Sequence, residues 1–164
     1  MVADTQERED LAAQRLGELL TRTERSIAVA ESLTGGLLVQ ALARQAGSGD
    51  WLTGGIVAYD RSVKHDMLDV RVAKVVSAEA AAQMARSARQ RLGSDVGLAV
   101  TGVAGPDPQD GEPPGTVWMA VDTGDGPRAQ LLETDEEDPE TICRIAVIES
   151  ILLAARSLQR SPSE

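Results

Sequence analysis

Apolar positions along this chain follow two periods, and the changes between them mark its elements. Leu11, Ala12, Leu16, Leu19 and Leu20 recur at helical spacing and predict a first helix over 11–20. The apolar run at 26–30 reads as a short buried strand. Gly35 to Ala46 reads as a second helix, stopped near Gly47-Ser48-Gly49. A second strand is expected over 54–59 and a short helix over 62–68. Ser77 is placed to cap a helix that runs to about Leu92. A third strand follows at 96–100. The stretch 105–114 is rich in Pro, Gly and Asp and reads as a loop. Val117–Asp122 and Ala129–Glu133 predict a hairpin around Thr123-Gly124-Asp125-Gly126-Pro127. A last helix spans about Pro139 to Leu158, and the tail 161–164 is expected to fray. Strands alternating with helices predict an α/β fold. The expectation is a three-layer α/β/α sandwich with a mixed, mostly parallel sheet.

The most informative stretch is Ala30-Glu31-Ser32-Leu33-Thr34-Gly35-Gly36, directly after the apolar Ile27-Ala28-Val29. A strand ends, a hydroxyl-rich turn follows, and two glycines open a helix. Such a turn aims hydroxyls and free N–H groups at one point, which suits an anion or a polarised carbonyl. Ser and Thr before a helix also serve as plain caps. Three further segments strengthen the reading of a site. They are Gly54-Gly55-Ile56-Val57-Ala58-Tyr59-Asp60-Arg61-Ser62-Val63-Lys64, then Asp95 to Pro106 ending in Thr101-Gly102-Val103-Ala104-Gly105-Pro106, then Pro114-Gly115-Thr116-Val117. Two Gly-rich turns at strand ends can line one crevice, because ligands of open α/β sheets collect at the carboxyl ends of strands.

In order and spacing these motifs, with Val76-Ser77 and Ser94-Asp95, resemble the CinA C-terminal domain family. That family comprises the nicotinamide-nucleotide amidohydrolases, also called NMN deamidases. The resemblance covers about residues 9–158 of a single domain over 1–164. It implies deamidation of nicotinamide mononucleotide to nicotinate mononucleotide and ammonia. Two departures stand out. Leu33 occupies a position where the family pattern has Cys. Glu137-Asp138-Pro139 stands where the family has G-D-R, so its arginine is Pro139 here. Arg61 and Arg144 are the cations at hand to replace it. A catalytically impaired relative, acting as a pyridine-nucleotide-binding module or partner domain, is the alternative.

Ser32 is the candidate nucleophile, and a serine hydroxyl needs a base within reach. The single histidine, His65, lies beside Lys64 on an expected surface helix and is the weaker base. Lys64 is the stronger one, because Ser–Lys pairs work when burial or a nearby cation such as Arg61 lowers the lysine pKa. A lone helical Lys is otherwise a solvated charge; the family's Y-x4-K spacing, matched by Tyr59 and Lys64, favours the functional role. Tyr59 would relay a proton or orient Ser32 and Lys64. Thr34, Gly35 and Gly36, with Thr101, Gly102, Ala104 and Gly105, form the expected substrate cradle. Glu31 could cap the turn, hold ribose hydroxyls or pair with a surface cation.

Composition narrows the setting. A net charge of −10 argues against general nucleic-acid binding, and a phosphorylated substrate then needs local positive potential inside the pocket. Aromatic content is 2%, with no Phe, which leaves no stacking platform for single strands. No apolar run reaches membrane-spanning length, and the acidic start is unlike a secretory signal. With one cysteine, Cys143, no internal disulfide is possible. The expectation is a cytoplasmic protein, forming a two-fold dimer by default symmetry. No cofactor is called for, and no metal constellation is read. The run Asp135-Glu136-Glu137-Asp138 reads as a solvated helix start.

Overall fold

The computed structural model describes residues 2–160; the expected fraying at 161–164 lies outside them. In chain order they form α1 (Val2–Arg22), β1 (Ile27–Glu31), α2 (Leu37–Ala43), a 3-10 turn (Ser48–Asp50) and β2 (Leu52–Val57). Then come α3 (Arg61–Leu68), α4 (Ala78–Arg91), β3 (Val96–Gly102), β4 (Val117–Asp122), β5 (Arg128–Leu132) and α5 (Pro139–Gln159). The five strands make one sheet in the order β2-β1-β3-β4-β5. β1 pairs in parallel with β2 and β3, while β3–β4 and β4–β5 are antiparallel. Only β4 therefore runs against the others, which is the mixed, mostly parallel sheet expected.

Side-chain size explains the two helical layers. Strand residues alternate between faces. Ile27, Val29, Val96, Leu98, Val100, Val117, Met119 and Val121 fill one face, against α1, α2 and α5. The opposite face carries Ala28, Ala30, Ala99 and Ala120, against α4 with its own Ala80, Ala81, Ala85 and Ala88. Small residues on both sides let α4 lie close to the sheet. At Gly97 the approach is extreme: a Cβ there would stand 2.0 Å from the Ala85 carbonyl oxygen.

Helix ends follow local chemistry. Ser77 caps α4 by accepting from the Ala80 N–H, as expected. Asp138 caps α5, accepting from the N–H and hydroxyl of Thr141, so the acidic run is a helix start. α1 begins well before residue 11. Its polar first half is anchored by Glu9, which is buried and takes Arg44 at 2.7 Å and Arg144 at 3.4 Å. That carboxylate ties α1 to the end of α2 and to α5. α2 starts later than expected because Gly35 and Gly36 adopt positive φ, 58° and 109°, and belong to the turn. No helix among the described residues is long and apolar enough to cross a membrane.

The topology fixes where chemistry can gather. β2, β1 and β3 end at the same edge of the sheet. The chain leaves β1 across the α2 face and reaches β3 across the α4 face. Adjacent strands whose connections diverge in this way leave a crevice at their carboxyl ends.

Candidate active site

The turn after β1 is built around Glu31, the last residue of the strand. Its side chain is fully buried and accepts four hydrogen bonds. Oε1 takes the Thr34 hydroxyl at 2.7 Å, the Gly36 N–H at 3.2 Å and the Leu38 N–H at 2.8 Å; Oε2 takes the Val39 N–H at 2.9 Å. Of the roles weighed for Glu31, this is the cap, and the ribose and surface-cation roles give way. The donors at the start of α2, expected to cradle an anion, already hold the protein's own carboxylate. Thr34 and Gly36 are thus committed to Glu31, and the Gly35 N–H to the Ser32 carbonyl at 3.0 Å. These residues shape the turn rather than line a ligand. Among the described residues, the N–H groups of Leu33 and Thr34 carry no acceptor.

Ser32 sits at the head of this turn, 6% exposed. Its N–H donates to the Val100 carbonyl at 3.1 Å, and the Ala58 N–H donates to the Glu31 carbonyl at 2.7 Å. The two bonds extend the strand register by one residue and lock Ser32 between the ends of β3 and β2. Lys64, on α3, is 1% exposed and donates from Nζ to the Tyr59 carbonyl at 3.1 Å. Its ammonium therefore lies at the end of β2, the strand beside Ser32. Burial, then the Arg61 guanidinium, pull the Lys64 pKa below the ordinary lysine range, against the opposing pull of Asp60 and Asp110. Tyr59 positions Lys64 through its backbone. Its ring is 71% exposed and makes no hydrogen bond among the described residues, so the expected proton relay has no geometry here. His65 is exposed, with Nδ1 at 2.8 Å from Asp66 and Nε2 at 2.6 Å from Arg71. Arg71 can only donate, so Nε2 accepts and Nδ1 carries the proton.

On the other side of Ser32 the β3 end departs from a simple cradle. Thr101 is fully buried and its hydroxyl donates to the Val75 carbonyl at 2.8 Å. Gly102 is strand, and a Cβ there would stand 2.6 Å from the Thr116 carbonyl oxygen. The Thr101 hydroxyl and the Gly102 backbone are thus engaged within the protein. Val103 is fixed by its N–H to Thr116 and by accepting from Gly115. Ala104 and Gly105 follow with N–H groups that have no acceptor among the described residues, so they alone of the expected β3-end cradle offer free donors. Gly105 needs its glycine: φ is 94°, and a Cβ would meet Pro114 at 2.9 Å.

Several functional neighbours escaped the sequence reading. Asp60 caps α3 by accepting from the Ser62 N–H and hydroxyl. The D-x-S spacing before an apolar helix face is the signal that could have found it. Arg61 bonds the Ala73 carbonyl and Asp110, whose other oxygen takes the Val75 N–H at 2.7 Å. No spacing rule joins residues 61 and 110. Cys143 of α5 donates to the Leu33 carbonyl at 3.4 Å, so α5 rests against the turn after β1. Arg144, one candidate for the missing cation, is engaged with Glu9 instead. No cluster of potential metal ligands occurs among the described residues.

Comparisons with known proteins bear on the family and the fold. The family model for the CinA C-terminal domain matches residues 9–158. A putative competence-damage inducible protein of Limosilactobacillus fermentum is 38% identical over 153 residues, which are 90% of this chain and 37% of that protein. One from Desulforamulus reducens is 42% identical over 118 residues, 69% of this chain and 29% of that protein. The chain thus spans about a third of the length of these relatives. Among solved structures, competence damage-inducible protein A of Klebsiella pneumoniae aligns with a TM-score of 0.89 and 27% identity, covering 94% of this chain and 99% of that one. A competence/damage inducible protein of Agrobacterium tumefaciens aligns with 0.87 and 29%, covering 93% and 96%. Motif order, sheet topology and the match over 9–158 converge: the chain belongs to the CinA C-terminal domain family.

Proposed function

We propose that the chain is an amidohydrolase that converts nicotinamide mononucleotide to nicotinate mononucleotide and ammonia. The substrate and reaction come from the family resemblance. What carries the chemistry is one observation: Lys64 is buried, and its ammonium has a single acceptor among the described residues, the neutral Tyr59 carbonyl. An ammonium has three donors, so the neutral amine fits this position better than the cation.

The neutral Lys64 amine takes the Ser32 hydroxyl proton as Oγ attacks the carboxamide carbon. The carbonyl π electrons move to oxygen, and the unpaired N–H groups of Leu33 and Thr34 are the donors nearest in sequence to that oxyanion. The intermediate collapses with cleavage of the carbon–nitrogen bond. Lys64 returns its proton to the departing nitrogen, which leaves as ammonia. Water, giving a proton to Lys64, then attacks the Ser32 ester. Cleavage of the ester bond returns the proton to Ser32 and releases the carboxylic acid, which gives its remaining proton to solvent as the carboxylate. Glu31, Thr34, Gly35 and Gly36 serve this scheme by holding Ser32 in place, and Ala104 and Gly105 supply N–H donors for the nucleotide.

Ammonia release from the purified chain with nicotinamide mononucleotide is the test. Wild type releases ammonia and Ser32→Ala does not. Equal rates for the two proteins refute the nucleophile. The second reading, a nucleotide-binding module, is favoured by Pro139 and the Asp138 cap standing where the family resemblance implies an arginine. Calorimetric titration separates the two: tight binding of the nucleotide without ammonia release identifies the module.

A further inference from the structure

Arg61 and Lys64 occupy positions i and i+3 of α3, which face the same side of a helix. Two cations at this spacing repel, and on a free surface one would swing away. Neither can do so here. Lys64 is enclosed, at 1% exposure, and bound to the Tyr59 carbonyl. Arg61 is pinned twice, to the Ala73 carbonyl and to Asp110.

We propose that Arg61 is the positioning residue of Lys64: anchored by Asp110 and the Ala73 carbonyl one turn earlier on α3, it holds the Lys64 amine ready to accept the Ser32 proton. The inference rests on the Ser32–Lys64 reading above. Three charged groups bear on Lys64: Arg61 lowers its pKa, and Asp60 and Asp110 act in the opposite direction with smaller effect. Asp60, at the α3 cap, accepts the Ser62 N–H and hydroxyl on one oxygen, Oδ1. Asp110, from the 103–116 loop, divides its oxygens between Arg61 and the N–H groups of Val75 and Val76. From β2 comes only the neutral Tyr59 carbonyl. Neither carboxylate makes a hydrogen bond with the Lys64 ammonium among the described residues; both still favour its charged form, and the Arg61 cation opposes them. The direction of the Lys64 pKa, lowered by burial and then by Arg61, agrees. The same anchor reaches the β3 end, since the Val75 carbonyl accepts from Thr101. Arg61 thus ties the base to the strand that flanks Ser32 on the other side.

The chain has two lysines, Lys64 and Lys74, so both can be followed in one experiment. The protein is labelled with carbon-13 lysine and the Cε signals are titrated by NMR, with Lys74→Arg used for assignment. Arg61→Gln is expected to raise the Lys64 midpoint by about one pH unit, the size of effect a unit charge within about 12 Å has at the effective dielectric near a protein surface. Arg61→Lys, which keeps the charge, is expected to return it close to wild type. A wild-type circular dichroism spectrum and cooperative thermal unfolding confirm that the variants fold. A Lys64 midpoint in Arg61→Gln equal to or below wild type overturns the proposal. This readout needs no turnover, so it stands apart from the amidohydrolase reading. In the rate profile, the acid limb of kcat/KM for nicotinamide mononucleotide should move up with the midpoint. A midpoint that moves while the rate profile stays fixed shows that Lys64 is not the base, and overturns the positioning role with it.

Discussion

Glu31→Gln separates the cap from a substrate contact. The carboxylate is fully buried and receives four donors, three on Oε1 and one on Oε2. Glutamine has the same shape but offers a single acceptor oxygen. With that oxygen at the Oε1 position, its NH2 group faces the Val39 N–H, and one buried donor loses its partner. An unsatisfied buried donor costs about 1–3 kcal/mol. The three bonds that remain fall from charge-assisted to neutral strength, roughly half, for about another 1–2 kcal/mol together. The favourable pairing of a carboxylate with the α2 dipole is lost as well. Escape from desolvating a charge offsets part of this, so the expected destabilisation is about 3 kcal/mol. Urea unfolding followed by circular dichroism measures it, and ammonia release gives kcat and KM on the same samples. The cap predicts a lowered unfolding midpoint with reduced kcat, because Ser32 is held by the same turn. An unfolding midpoint within error of wild type, with a raised KM, would refute the cap and restore a ribose contact.

Two further substitutions test the site and its frame. Lys64→Arg keeps a positive charge that cannot deprotonate, so turnover should vanish while nucleotide affinity persists in calorimetry; near-normal turnover rules out Lys64 as base. For wild type the same residue predicts a rate that rises with pH through a midpoint below the ordinary lysine range. The sign for stability follows: the unfolded chain holds the Lys64 proton at pH values where the folded one has released it. Lys64 therefore favours the fold increasingly as pH rises from its folded pKa to its ordinary value. Gly97→Ala places a Cβ 2.0 Å from the Ala85 carbonyl, and helix backbone cannot rotate aside as a side chain can. Overpacking typically costs about 1–3 kcal/mol, and this contact lies at the upper end; a thermal midpoint equal to wild type would show that α4 shifts freely.

Much of the fold was legible because its signals are local. The central strands β1 and β3 are buried along their whole length and read as short, mostly apolar runs. Ser77 and the acidic run before Pro139 announce helix starts by residue type alone. α1 was cut short because its first half is polar. What holds it is Glu9 meeting Arg44 and Arg144, 35 and 135 residues away, and no periodicity encodes such partners. The site divides the same way. Ser32 stood out from its strand-end turn and Lys64 from its spacing after Tyr59; that their strands are neighbours is decided by the sheet order. The donors at the start of α2, expected to be free, are taken by one side chain. A carboxylate at the end of β1 could reach outward to a ligand or curl back to α2, and only three-dimensional packing turns Glu31 inward.

That inward turn changes the electrostatics of the site. The α2 N-terminus, one of the expected sources of positive potential, is neutralised by Glu31. Lys74, exposed, is tied to Glu112, and Arg61 to Asp110. With an overall charge of −10, the long-range field favours the protonated form of every lysine. Lys64 departs in the opposite direction, so its cause must be local: enclosure at the end of β2 and a pinned cation one turn away. Local causes have a further property. Salt screens exposed charges beyond a Debye length of about 8 Å, but acts far less on buried neighbours in near contact. The acidic surface and the chemistry of the strand ends are therefore separable, and the readiness of Lys64 to take a proton is set by Tyr59, Arg61, Asp60 and Asp110 rather than by the charge of the whole molecule.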